Sequence, residues 1–452
     1  MANSRPISTT DHLLTRRNVL RTGLAAGLVG AAVPGLVSGP AQASPYDPTH
    51  APAAKHPVTA GEPDFHPVRF RLPAPTGRKA LGTTALHLID RDRPDPSMPS
   101  GHRELMISLW YPAALSGTAQ YAKYLPPKTA AAVDEAWTGE DGLAVPPGSF
   151  DFANTVTHSR VDVPVQRLRH PVVLFSPGYQ YSRFVNTALV EDLASRGYVV
   201  VTIDHTHEAP VEFPRGRLQP GTSEPADAGR IRQAVETRTA DTRFVLNQLE
   251  RIAGGRNVDA EGKDLPAGLA DGLDLPKVGM FGIGLGGYVA ANTMLVDDRI
   301  RSGIDLDGTL QDDRVRGPLG EVAESGLDRP FLLFGSDETQ RTDPGKEYYD
   351  PSWASFWAAR PGGKLNLTLA GAKQKAFTDY QFVFAQLFHE IYGDDPIITS
   401  VMTALVGRVP PARSVLAQRE YVGAFFDQTV RRRPALLLRG QSSRFPEVRF
   451  VR

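Results

Sequence analysis

The segment Lys277-Val-Gly-Met-Phe-Gly-Ile-Gly-Leu-Gly-Gly-Tyr288 is built to present a reactive group on a sharp turn, and the group is missing. Val278 to Phe281 reads as a buried strand, Gly282-Ile283-Gly284-Leu285-Gly286 as a tight turn, and Tyr288 to Val296 as a helix of small residues. Where such a strand, turn and helix read G-x-S-x-G, the serine hydroxyl stands above the sheet edge as a nucleophile. Here the serine slot is Gly284, which has no oxygen to attack with. Glycine also adopts the backbone of such a turn nearly free, whereas a residue with a side chain is strained by about 1–3 kcal/mol. Other groups with chemistry lie at strand ends. His205-Thr206-His207-Glu208 follows the strand run Tyr198 to Ile203, at the carboxyl edge where parallel sheets place ligands. With Asp307, these histidines offer general acid and base chemistry or a histidine–carboxylate metal site. The blander reading of a polar loop without metal is preferred, and no metal or cofactor is expected. Ser176 and Ser336 close two further strand runs and are the alternative hydroxyls.

Composition limits the partners. The 452 residues carry 50 basic and 50 acidic side chains, 41% hydrophobic and 22% charged residues, a soluble globular profile. A balanced charge gives no basic field to attract nucleic acid, which is not expected as a partner. The absence of cysteine removes disulfides, thiolate metal sites and cysteine nucleophiles together. At the N-terminus, Thr15-Arg16-Arg17-Asn18-Val19-Leu20 sets twin arginines before a Gly/Ala/Leu/Val run from Gly23 to Val37, and Ala41-Gln42-Ala43 supplies an A-x-A cleavage site. Residues 1–43 therefore read as a twin-arginine-type signal peptide. The expected product is secreted, starts at Ser44 and has no transmembrane anchor, since the apolar run is too short and weak to span a bilayer.

Residues 44–75, rich in Pro, Ala and His, read as a flexible linker, and 76–452 as one domain. Gly82 to Asp90 and Glu104 to Tyr111 alternate apolar and polar residues and predict an antiparallel pair joined by a Pro-rich turn. Residues 114–168 lack a clear period and are assigned to a candidate cap insertion. Strands then alternate with helices, which predicts a mostly parallel sheet covered on both faces. The strands are expected at Pro171 to Phe175, Tyr198 to Ile203, Val278 to Phe281, Ile300 to Leu306, Phe331 to Phe334 and Leu365 to Leu369. The helices are expected at Phe184 to Arg196, Ala228 to Ile252, Tyr288 to Val296, 378–392 and 414–431. In the second of them, Val235, Thr239, Phe244, Leu246 and Leu249 are spaced as a buried stripe with charges on the other face.

Five blocks of this chain resemble the platelet-activating-factor acetylhydrolase-like α/β-hydrolases. They are Phe175-Ser-Pro-Gly-Tyr179, Leu193 to His205, the turn 282–286, Gly303-Ile-Asp-Leu-Asp-Gly308 and Gly371-Ala-Lys-Gln-Lys-Ala-Phe-Thr-Asp379. Their order and spacing cover roughly residues 72–390. The resemblance implies an α/β-hydrolase fold and a secreted or lipid-facing serine esterase with a Ser, Asp, His triad. Carried over by position, the serine falls on Gly284, the aspartate on Asp307 and the histidine on Gln374, within a pattern G-x-x-H ahead of an aromatic and an aspartate. The amide N–H groups of Tyr179 and Leu285 fall where the family builds its oxyanion hole. Lys373 and Lys375 flank Gln374 in a loop that is neutral in the family; they read as solvated surface or, more sharply, as attraction for an anionic ligand.

A hydroxyl becomes a usable nucleophile when a base accepts its proton, and glutamine has no titratable nitrogen for this. The only histidine after Gly284 is His389, inside a helix pattern, and it reads as a surface residue. Two classes of function stay open. One is a non-hydrolytic protein that binds an ester, lipid or carboxylate in the old pocket, or partners another protein. The other is an active enzyme, either an esterase using Ser176 or Ser336 or a repurposed acid/base catalyst using His205, His207 and Asp307. The missing serine and histidine favour the first.

Overall fold

The computed structural model describes residues 66–451 apart from 115–116, 139–142, 144, 225, 314–316, 338–349 and 361. Residues 1–43, read as a signal peptide, and 44–65 of the expected linker lie outside the described residues. In chain order the strands are β1 (Leu81–Asp95), β2 (Met98–Pro112), β3 (Tyr121–Lys123), β4 (Val156–Val161), β5 (His170–Ser176), β6 (Val199–Ile203), β7 (Val211–Phe213), β8 (Arg217–Gln219), β9 (Leu273–Ile283), β10 (Ile300–Leu306), β11 (Phe331–Ser336), β12 (Leu365–Leu369) and β13 (Val448–Phe450). The helices that position the site are α1 (Pro127–Trp137), α2 (Thr187–Ser195), α3 (Ala228–Ala253), α4 (Leu285–Val296), α5 (Tyr380–Tyr392), α6 (Pro396–Val406) and α7 (Pro411–Thr429).

Eleven strands form one sheet in the order β13-β12-β11-β10-β9-β5-β6-β2-β1-β4-β3, and β7 and β8 make a separate hairpin. The run from β12 to β6 is parallel, and β2 and β13 flank it antiparallel. β5 and β6 are continuous apolar runs because both faces of the sheet are covered, so every residue in them is buried. Alternate side chains feed two cores. Val173, Phe175, Val200 and Phe281 pack with α2 and α7 on one face, while Val172, Leu174, Val201 and Met280 pack with α3 and α4 on the other. This is the α/β-hydrolase architecture that the sequence predicts.

Several local expectations are corrected. The first hairpin runs on to Asp95 and Met98, well beyond the predicted pair, with irregular register around Pro94. Residues 66–75 are not linker, since Val68, Phe70 and Leu72 are buried and Phe70 meets Phe152 at 4.9 Å between ring centroids. The segment 114–168 is no separate cap. It adds β3 and β4 to the main sheet and lays α1 against α5, where Trp137 packs on Tyr380 at 4.2 Å. A further helix, α6, stands between the two that were expected to close the chain. In α3 the buried face includes Arg238 and Asp241, so charges do not all lie on its outer side. Among the described residues no helix is long and apolar enough to cross a membrane.

Candidate functional site

β9 ends at Ile283 and α4 begins at Leu285, so Gly284 alone makes the turn, at φ 54° and ψ −121°. That conformation is one an L side chain rarely adopts. The glycines around it are needed for another reason, which is close packing. A methyl group on Gly286 would lie 1.9 Å from the Ser176 carbonyl oxygen, and one on Gly282 would lie 2.1 Å from the Gly286 backbone. The Gly284 N–H donates to the Leu306 carbonyl at 2.9 Å, which ties the turn to the end of β10.

Gln374, Asp307 and Gly284 come together here. A Cβ built on Gly284 would stand 3.5 Å from Gln374 Nε2, an ordinary van der Waals contact. The same Nε2 donates to the Asp307 carbonyl oxygen at 3.0 Å. The Asp307 backbone is also left-handed, with φ 53°, and its carboxylate accepts from the Ser336 N–H at 2.7 Å. Asp305, two residues earlier, braces the strand end instead, accepting from the Gly308 N–H at 2.8 Å and from Trp353 Nε1 at 3.2 Å. Gly284, Leu285, Gln374 and Tyr179 are all half-buried, so the turn is open to solvent.

Tyr179 follows Gly178, whose Cα lies 4.0 Å from the Cβ position of residue 284. The loop after β5 therefore stands directly over the turn. Leu285 opens α4 and has no carbonyl one turn back to accept its N–H. Lys375 is not solvated surface, because it is buried. Burial, reinforced by repulsion from Lys373, pushes its ammonium down to about 8. Lys373 is half-buried. His389 is exposed on α5, 3.3 Å from Asp394.

The histidines of the 205–208 loop go elsewhere. His205 does not meet Asp307, since β6 and β10 are three strands apart, about 14 Å at the usual spacing. It forms a buried chain instead. Its Nε2 lies 2.9 Å from Ser176 Oγ and its Nδ1 lies 2.9 Å from Asp241 Oδ2. The acceptor-only carboxylate accepts a hydrogen bond from the Nδ1–H, which leaves Nε2 to accept from the serine hydroxyl. Burial, then the Arg238 charge, push the imidazole below its ordinary range, so it is neutral. Asp241 is also held by Arg103, through Nη2 at 2.8 Å and Nε at 3.1 Å. Burial alone would raise its carboxyl, but Arg103 and the His205 hydrogen bond outweigh burial and hold it well below the usual carboxylate range. His207 is in the left-handed region at φ 78° and pairs with Asp95 at 3.1 Å.

This second constellation has the distances of a Ser, His, Asp relay, but Ser176 and Asp241 are fully buried and His205 is 3% exposed. Sequence reasoning found Ser176 and His205 separately and missed Asp241 and Arg238. Their signal was available: both lie on the buried face of α3 with Ala234, Val235, Thr242 and Val245, and a charge set in such a stripe marks a buried polar network. Among the described residues no group of three or more potential metal ligands is present.

The family model of "Platelet-activating factor acetylhydrolase, isoform II" matches residues 103–397. This chain belongs to that family. Among its relatives is a probable 1-alkyl-2-acetylglycerophosphocholine esterase of Arthroderma benhamiae, 28% identical over 403 residues that cover 85% of this chain and 95% of that protein. A platelet-activating factor acetylhydrolase of Canis lupus familiaris is 24% identical over 270 residues, 54% of this chain and 56% of its own length. Among solved structures, a ferulic acid esterase from Streptomyces cinnamoneus superposes with a TM-score of 0.64 at 34% identity, covering 84% of this chain and 99% of that one. The esterase fold of the family is thus the scaffold on which the Gly284 turn sits.

Proposed function

We propose that this chain is an exported, non-hydrolytic member of its family that binds a small ester-, lipid- or carboxylate-bearing ligand at a vacated esterase site. The observation that carries the reading is the pairing of Gly284 with Gln374. The side-chain tip at position 374 stands 3.5 Å from where a serine Cβ would be, with Asp307 beside it, so the seats of a triad are together while the hydroxyl and the imidazole are absent. Without them neither attack nor proton transfer has a carrier. Backbone donors survive the loss of side chains. The N–H groups of Tyr179 and Leu285 are the proposed pair for a carbonyl or carboxylate oxygen, at the positive end of α4. Relatives named as esterases of an acetylated glycerophospholipid and of ferulic acid support an acyl-bearing ligand.

Rebuilding both groups tests this. Gly284→Ser with Gln374→His should turn over 4-nitrophenyl butyrate at least about a hundredfold faster than either single variant, because triad members act as a unit. The new serine should cost about 1–3 kcal/mol through backbone strain. A folded double variant that stays inert would mean that the pocket is remodelled beyond these two residues. Export rests on residues 1–43: replacing Arg16 and Arg17 by lysine should leave precursor in the cell, and normal amounts of protein outside beginning at Ser44 would count against the twin-arginine route.

The alternative of an esterase acting through Ser176 is favoured by one observation, the intact relay to His205 and Asp241. It requires the 177–180 loop to lift off a hydroxyl that is fully buried.

A further inference from the structure

The buried polar chain beneath the site ends on Arg238, which is completely buried and joins the loop over the turn to α3. Its Nη1 donates to the Pro177 carbonyl at 2.5 Å and lies 3.4 Å from Ser176 Oγ, and its Nη2 donates to the Gly178 carbonyl at 3.1 Å. Its other edge is held by Glu208, with Nε 2.8 Å from Oε1. A guanidinium is a rigid planar fork, so its position is fixed once Glu208 holds one side. The Gly178 carbonyl and the Tyr179 N–H belong to a single peptide group, and the described chain contains no cis peptide. In a trans peptide these two bonds point in opposite directions. A carbonyl held by Arg238, and also by the Tyr181 N–H at 3.1 Å, therefore turns the Tyr179 N–H away from Arg238. The Gly178 Cα lies 4.0 Å from the Cβ position of residue 284, which sets this peptide group beside the glycine turn.

We infer that Arg238 is the positioning residue of this site: by holding the Pro177 and Gly178 carbonyls it aims the Tyr179 N–H at the space above Gly284, where an anionic or carbonyl oxygen would be received. The inference rests on the reading of that space as an oxygen-binding site. It also gives the Ser176–His205–Asp241 chain a role other than catalysis. That chain fills the hydrogen-bonding capacity of Ser176 from below, so that the strand end beneath the fork does not move.

The test uses the whole protein with [15N]tyrosine labelling, the Tyr179 amide signal being identified by its loss in Tyr179→Phe. Butylphosphonate serves as a tetrahedral anionic probe. Arg238→Lys keeps the buried charge beside Glu208 but removes the fork, and Glu208→Gln, which loosens the fork from its outer edge, is the second variant should the first not fold. The expected result is a Tyr179 signal displaced in the free variant while those of Tyr288 and Tyr421 stay in place, with butylphosphonate affinity lowered about tenfold or more. An unmoved Tyr179 signal in a folded variant, with unchanged affinity, would overturn the inference. If the Tyr179 signal follows Arg238 but the wild-type protein takes up no butylphosphonate, the orienting role stands and the oxygen-binding reading falls.

Discussion

The chain carries two constellations that resemble a Ser, His, Asp triad, and each lacks what the other has. At the Gly284 turn the site is open and its backbone takes a conformation that would strain any residue but glycine, yet the positions we read as nucleophile and base hold glycine and glutamine. Below it, Ser176, His205 and Asp241 keep 2.9 Å contacts at both links, yet the hydroxyl is sealed beneath the loop after β5. Hydrogen-bond distances alone thus do not make a catalytic triad. The serine must also stand on a turn that lifts it above the sheet, beside donors for the oxygen that becomes charged. The buried chain meets the first condition only, and its neutral imidazole and paired carboxylate are those of a brace.

The contrast predicts unequal responses to mutation. Asp241→Asn should cost on the order of 3–5 kcal/mol in chemical denaturation, because it takes from the buried Arg103 one of the two carboxylates that neutralise it, Asp95 being the other, and removes the charged acceptor of the His205 hydrogen bond. Gln374→Ala, on the side proposed to be vacated, should cost about 1 kcal/mol, the worth of one ordinary hydrogen bond. Equal losses at the two positions would erase the distinction between brace and vacated site.

Lys375 sharpens the picture of the Gly284 side through pH. Its folded pKa, about 8, lies below the ordinary lysine value of 10.5. Below pH 8 the ammonium is charged in both states and its burial penalty is present in full. Between pH 8 and 10.5 the unfolded chain holds the proton that the folded chain has lost, so this residue makes stability rise with pH. The stability of Lys375→Met relative to wild type should therefore fall by about 3 kcal/mol from pH 7 to 10.5. A flat difference across that range would mean that Lys375 is not a buried cation.

What was legible in the sequence follows from local signals. The Val/Ile runs of β5 and β6 and the glycines of the turn announce themselves, because burial on both faces and close backbone approach leave few residue choices. β3 escaped notice because it has three residues, two of them exposed, and is defined by its neighbour β4 rather than by its own pattern. Helix α6 was missed because its outer face, Thr399, Ser400 and Thr403, is polar but uncharged and stands out weakly from the buried Ile398, Val401 and Val406. In the site, the turn and the positions of Asp307 and Gln374 could be read from motif order. The pairing of His205 with Asp241 could not, since the two are 36 residues apart and their meeting depends on how α3 lies across the sheet.

Whether the Gly284 site is truly a vacated one is tested most directly by treating purified wild-type protein with a fluorophosphonate probe and mapping any adduct by peptide mass spectrometry. We expect no adduct at any serine and no turnover of short-chain nitrophenyl esters under the same conditions. Stoichiometric labelling would contradict the non-hydrolytic reading, and an adduct on Ser176 would show that the sealed relay opens and is the true catalytic centre.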